Sequence, residues 1–382
     1  MKLVLDEIRK REKGLKIINN KIQTEGIDSL IDLTGLAGGF DITPEDVSLL
    51  ETYAGPAVFD DQIQKLGIEH LGGEKVLPLN RTTSGIAALI ITYVKPGTDI
   101  VHFLAEQPGH PSIPRTAKLV GANYIEYTDK DDFIITDNTS LVVITGTTMD
   151  YEAISVDDFK FVINKAKEKD ILVFVDDASG ARLRRAVYNQ PRAIDLGADL
   201  SVTSTDKLME GPRGGLMAGS AKLIDEIKLT VNQYGWEAQA PLVVGMIKGL
   251  EKYSPDRIKE AYSQKDELIS KLNDNDFMPL DTPTGFMFKE EQIKQVVDEK
   301  VSNEFSSDII ATVYSMLLLE NYNIITIPSV GMPGASKTVR IDWSSRDSDK
   351  LSMDDMVDAI IDTFEKTVDV IKENKVEQLL YY

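Results

Sequence analysis

Residues 200–219 read LSVTSTDKLMEGPRGGLMAG. Leu200, Val202 and Thr203 make a short β-forming run that closes on two hydroxyl residues, Ser204 and Thr205. One Asp, one Lys and a turn rich in Gly, Pro and Arg follow, and then a second apolar run. Lys207 therefore stands just past a buried strand, where a long cationic side chain has no ordinary packing use. Most lysines are solvated surface charges, since Lys is almost never fully buried unless paired. Residues upstream point to another role for Lys207.

Residues 171–182 read ILVFVDDASGAR. The apolar run 171–175 is the pattern of a strand buried on both faces of a parallel sheet, and it ends on Asp176. In open α/β sheets, ligands sit beyond the carboxyl ends of the strands, so Asp176 and Lys207 are expected to project into one crevice. A lysine amine can form a Schiff base with an aldehyde. Pyridoxal phosphate (PLP) needs such a Lys, together with an Asp that keeps its ring nitrogen protonated.

Asp176-Asp177-Ala178-Ser179 and Ser204-Thr205-Asp206-Lys207 together resemble the fold-type-I PLP enzymes, the aspartate aminotransferase superfamily. Their pattern is Asp-x-Ala-(His/Tyr) at a strand end, then Ser/Thr-x-x-Lys about thirty residues on. Within it, the segment DKLMEGPRGG is most similar to that of bacterial L-seryl-tRNA(Sec) selenium transferase (selenocysteine synthase) and its archaeal relatives. The resemblance implies an α/β fold with a large, mostly parallel-sheet domain and a small α+β carboxyl-terminal domain. It also implies PLP on Lys207, the first acid of the pair (Asp176) on the ring nitrogen, and Ser179 and Ser204 as further contacts.

Residues 76–94, VLPLNRTTSGIAALIITYV, carry the second informative site. A brief strand leads through Arg81 to Thr83, Ser84 and Gly85 and into an apolar helix. Backbone N–H groups at a helix start, with hydroxyls beside them, form an anion site, and Gly85 would let a phosphate come close. Alone the run is ordinary, because Ser and Thr cap most helices. Its place ahead of Asp176 and Lys207 is where the family binds the cofactor phosphate. His110, in a loop after the strand 99–104, resembles the aromatic residue that stacks on the ring in the α-oxoamine synthase branch. The resemblance implies that Thr147 stands near the cofactor's phenolic oxygen, where many relatives carry Asn or Glu. Arg340, on a strand within VRID, resembles the clamp for the substrate α-carboxylate; the alternative is an Arg paired with a sheet neighbour.

Composition narrows the classes. The chain has 382 residues, 42% of them hydrophobic, and a net charge of −20. That size suits one large domain and a smaller one, set here as an arm over 1–40, a PLP-binding domain over 41–253 and a small domain over 254–382. Zero cysteines exclude disulfides and thiolate sites, and three histidines argue against a His-rich metal centre. The longest apolar run, 86–94, is too short to span a bilayer and residues 1–14 lack an apolar signal core, so a cytoplasmic protein without a membrane partner is expected. Strong acidity weighs against tRNA, because nucleic-acid affinity comes largely from Lys and Arg. The resemblance implies a small amino acid as substrate. β-Elimination or replacement is the leading chemistry; an aminotransferase, an α-oxoamine or desulfurase activity, and a PLP-binding protein without turnover are the alternatives. Residues 233–241, QYGWEAQAP, read as a polar-aromatic loop, and the family's two-fold sites imply a homodimer or a multiple of dimers.

Overall fold

A computed structural model describes residues 2–36, 39–275, 277–332 and 334–381. Residues 35–40, GLAGGF, read in the sequence as a loop, and the structure describes them only in part, since positions 37 and 38 lie outside the described residues. The chain divides into two compact units, Leu36–Pro255 and a smaller one made of Met1–Gly35 with Asp256–Tyr382.

The large unit is built on a seven-stranded sheet: β1 (Lys75–Leu79), β2 (Asp99–Phe103), β3 (Asn123–Tyr127), β4 (Thr139–Thr145), β5 (Val173–Asp176), β6 (Leu200–Ser204) and β7 (Gly215–Gly219). The spatial order is β1-β7-β6-β5-β4-β2-β3. Only β7 runs against its neighbours, so the other six strands point the same way. β1 is an edge strand, which is where a ladder tolerates a proline such as Pro78.

The central strands are apolar on both faces, as a sheet covered by helices on each side requires. Leu141, Val143, Phe174 and Val202 pack with Ile86, Leu89 and Ile90 of the Thr82–Tyr93 helix on one face. Val142, Ile144, Val173 and Val175 pack with Phe159, Val162 and Ile163 on the other. β5 starts at Val173, two residues later than the apolar run begins. Asp170 takes a left-handed φ of 54° and the Ile171 amide still bonds the Ala166 carbonyl, so the preceding helix's exit uses those residues.

The loop read over 233–241 is helical at both ends. Gln233 and Tyr234 end the Ala221–Tyr234 helix, and Ala240 and Pro241 begin Ala240–Lys252, leaving a loop of only 235–239 in which Trp236 stacks on Tyr234 at 4.7 Å. A proline in the first helical turn explains the second start.

In the small unit, β8 (Leu280–Thr282), β9 (Gly285–Phe288) and β10 (Val339–Asp342) form an antiparallel sheet in the order β10-β9-β8. Its core gathers Leu268, Phe286, Phe288, Tyr314 and Phe364, and includes Ile17 from the Lys2–Glu25 helix. The segment read as a separate arm over 1–40 thus contributes its helix to this unit. The run 324–327, IITI, reads in the sequence as a strand, but only Ile324–Ile325 is one, paired parallel with Ile31–Asp32, because Pro328 opens a helical turn at Ile327–Val330. No described helix is long and apolar enough to cross a membrane.

Candidate functional site

Parallel strands deliver their loops to one edge of the sheet, and here that edge collects most of the residues singled out in the sequence. Leu79, Gly215 and Ser204 stand in register across β1, β7 and β6. Thr145, Asp176 and Val202 do the same across β4, β5 and β6. The turns that follow carry residues 81–85, His110, Thr147, the 176–179 segment and Lys207. This is the carboxyl edge, where α/β sheets bind ligands.

Alternation along β5 separates the two adjacent acids. Phe174 packs on the face covered by the Thr82–Tyr93 helix, and Val173 and Val175 pack on the opposite one. Asp176 therefore shares the Phe174 side, and Asp177 follows Val175. Asp177 meets Arg184 there, in an ion pair with both side chains fully buried; Arg184 Nε reaches Oδ1 at 3.1 Å and Nη2 reaches Oδ2 at 2.5 Å. The guanidinium also lies 4.9 Å over the Phe159 ring. Asp176 is buried too, yet its Oδ1 has no hydrogen-bond partner among the described residues. Burial pushes its carboxyl up to about 6; the Lys207 charge pulls against this and the Asp177 charge adds to it.

Lys207 is half-buried, on a turn held from behind. Arg182 Nε donates to the Lys207 carbonyl at 2.6 Å. The Lys207 backbone also bridges to Leu36, and Leu208 takes a left-handed φ of 53°. Arg182 belongs to no motif in the sequence; the one local signal is an arginine-rich run, Arg182, Arg184 and Arg185, just past the Asp176 strand. Ser204 donates its hydroxyl proton to Asp206, whose other oxygen lies 3.4 Å from Arg213 Nε. That occupies Ser204 with a neighbour in the lysine turn, rather than leaving it as an open hydroxyl.

At the start of the Thr82–Tyr93 helix, the N–H groups of Thr82 and Thr83 belong to the first turn, which has no intrahelical acceptors. Ser84 Oγ donates to Asn80 Oδ1 at 2.5 Å. Gly85 needs a different reason from the approach of an anion: an added Cβ would stand 2.4 Å from Leu79 Cδ1 and 3.1 Å from Met217 Cε, on the sheet side. It is the packing of helix on strand that demands glycine. Arg81, the residue just before the helix, is held below its usual range by burial and by the charge of Arg213. The two guanidiniums thus share the same edge.

His110 bonds Ser112 through Nδ1 at 2.7 Å, and its imidazole is lowered to about 4 by burial and then by the charges of Lys207, Arg115 and Arg81. It is therefore neutral at pH 7. Thr147 and Ser179 are both buried and join each other, hydroxyl to hydroxyl, at 2.8 Å. Arg340 lies in the small unit, at the centre of β10, opposite Met287 of β9, with Nη2 at 3.4 Å from the Thr34 carbonyl.

A family model described as the UPF0425 C-terminal domain matches residues 275–352. A "UPF0425 pyridoxal phosphate-dependent protein" of Methanosphaera stadtmanae is 73% identical over 382 residues, covering 100% of both chains. Among solved structures, L-threonine transaldolase from Pseudomonas fluorescens superposes with a TM-score of 0.63 at 15% identity, covering 97% of this chain and 92% of that one. A chain of the SepCysS–SepCysE N-terminal domain complex gives 0.61 at 16%, covering 91% and 98%. The fold is that of the fold-type-I PLP enzymes, and the chain belongs to the UPF0425 pyridoxal phosphate-dependent proteins.

Proposed function

We propose that the chain is an enzyme that withdraws the α-proton of a free amino acid and carries it on to β-elimination or replacement. The observation that carries this reading is the buried Asp176 Oδ1, which lacks a donor beside Lys207. An unsatisfied buried carboxylate oxygen is costly, so it marks where a ligand's N–H fits, and the protonated ring nitrogen of PLP is such a donor. When bound, PLP supplies an aldehyde that captures amines and a ring that delocalises the negative charge left at the substrate Cα.

The chain's own residues would then divide the work. Lys207 Nζ would anchor the aldehyde and, once freed, move the proton at Cα. Asp176 would keep a proton on the ring nitrogen through Oδ1. The first-turn N–H groups at Thr82 and Thr83, with Ser84 beside them and Arg81 and Arg213 nearby, would hold the phosphate. Neutral His110 offers a flat ring that can lie against the cofactor without adding charge. β-Replacement is preferred over transamination because the lysine segment is most similar to that of selenocysteine synthase. The net charge of −20 favours a free amino acid over an aminoacyl-tRNA.

Reducing the PLP-loaded protein with borohydride is expected to fix the cofactor to Lys207, located by peptide mass spectrometry. An adduct on another lysine would overturn the assignment. Release of pyruvate from serine-like or cysteine-like amino acids would mark the lyase reading, whereas amino transfer to a keto acid would replace it. We also propose a dimer, or a multiple of dimers, as the working form. Sedimentation of the holoprotein should show one, and a monomer that binds PLP tightly would contradict it.

A further inference from the structure

Arg182 is fully buried, yet among the described residues no carboxylate pairs with it. Burying a guanidinium is expensive unless its protons find acceptors. Here the acceptors are mostly backbone carbonyls, all at one place. Nη2 donates to the Ala178 carbonyl at 3.1 Å, to Thr203 Oγ1 at 3.0 Å and to the Ser204 carbonyl. Nε donates to the Lys207 carbonyl at 2.6 Å. Nη1 meets His70 Nε2 at 3.2 Å, and burial holds that imidazole well below its usual range, so it is neutral and able to accept. Tyr253 closes the far side of His70, edge to face at 5.2 Å.

Ala178 lies two residues past Asp176, and Ser204 and Lys207 bracket the lysine turn. One planar group therefore ties the end of β5 to the turn that follows β6. The next residue, Leu208, holds a left-handed φ of 53°, which a leucine adopts only when its surroundings impose it. The bond from Arg182 to the preceding carbonyl is such an imposition. We propose that Arg182 is a positioning residue, one that sets the lysine turn against the Asp176 strand and so aims the Lys207 amine. This rests on Lys207 being the cofactor anchor.

A lysine cannot reproduce the arrangement, because an ammonium is a single point and a guanidinium spans several acceptors. The test compares Arg182→Lys with Arg184→Lys, a control that disturbs the neighbouring buried arginine on the other face. PLP affinity is read from the visible band on titration, the handedness of the site from visible circular dichroism, and the amine's placement from the fraction of Lys207 trapped by borohydride.

Arg182→Lys is expected to bind PLP about tenfold more weakly, the scale of one lost charge-assisted hydrogen bond, with a weaker dichroic band and less Lys207 trapped at saturating PLP. Arg184→Lys should melt lower while keeping wild-type affinity and trapping. Methylguanidine should partly restore trapping in Arg182→Ala. A folded Arg182→Lys with wild-type affinity, dichroism and trapping would overturn the proposal. If that variant does not fold, Thr203→Val removes one acceptor of Nη2 and should weaken PLP binding about threefold, a fraction of the same effect; unchanged binding there would also overturn it. A wild-type adduct on a different lysine is a separate outcome, and it overturns the Lys207 reading together with this one.

Discussion

Asp176→Asn is expected to make the apoprotein more resistant to urea at pH 8, relative to wild type, than it does at pH 4, while the PLP-loaded variant loses nearly all exchange of a substrate's α-hydrogen. Burial raises the wild-type carboxyl from 3.8 to about 6, against the pull of Lys207. The folded state thus binds this proton more tightly than the unfolded state does. Its favourable contribution is full below about pH 4 and is lost as pH rises through 6. At pH 8 the folded apoprotein bears a buried charge that costs it roughly 3 kcal/mol, from a shift of about two units. An amide has its own unmet hydrogen bonds, but that cost does not change with pH. The difference between variant and wild type should therefore grow by about 3 kcal/mol from pH 4 to pH 8, as read from urea midpoints at each pH. A difference that stays flat would mean that Asp176 does not titrate in this window.

The catalytic half of the result follows from the same carboxylate. Loss of a close charge partner lowers the pKa of the group it pairs with by about 1–3 units, so the ring nitrogen gives up its proton and the ring becomes a poorer electron sink. Exchange in D₂O, followed by NMR, should fall by about 10- to 1,000-fold, while borohydride still fixes PLP to Lys207. Were Asp177→Asn to lose exchange and Asp176→Asn to keep it, the cofactor partner would be the other acid.

The chemistry of the edge was legible in the sequence because local pattern encodes it. An apolar run ending on an acid, a lysine after the next strand, and hydroxyls before an apolar helix each state their own place. Whatever depends on contacts between distant segments was not legible. Gly85 read as room for a phosphate, but Leu79 and Met217 are what exclude a side chain there. Ser204 read as a further cofactor contact, and the sequence does not show that its hydroxyl donates to Asp206. Nothing local in ASGARLRR tells Arg182 from Arg184; the fold gives the first a cluster of carbonyls and the second a carboxylate. The amino-terminal helix looked detachable because its amphipathic pattern does not say which core receives Ile17. Turn boundaries slipped where a left-handed residue such as Asp170, or a helix-opening proline such as Pro241 or Pro328, ended an apolar or polar run early.

Asp177→Asn should cost far more stability than its neighbour's replacement and far less activity. Arg184 is fully buried, with Nε and Nη2 on the Asp177 carboxylate and Nη1 on Gln190 Oε1 at 3.0 Å. The backbone closes tightly around that carboxylate: a Cβ at Gly146 would lie 1.9 Å from Asp177 Oδ1, and one at Gly180 would lie 2.1 Å away. Removing one partner of a buried pair leaves an uncompensated charge, which costs about 3–5 kcal/mol. Replacing both partners, as in Asp177→Asn/Arg184→Met, removes the stranded charge and should recover part of that loss in urea unfolding. Because Asp177 faces away from Asp176, α-hydrogen exchange per folded, PLP-loaded molecule should stay near wild type. The one foreseeable drift is small: without the Asp177 charge the Asp176 carboxyl moves down, toward the ionised form that would hold the ring nitrogen. A single variant as stable as wild type would mean that the Asp177–Arg184 pair contributes nothing to the fold. A double variant no more stable than the single one would locate the loss in packing around Gly146 and Gly180 instead of in the stranded guanidinium.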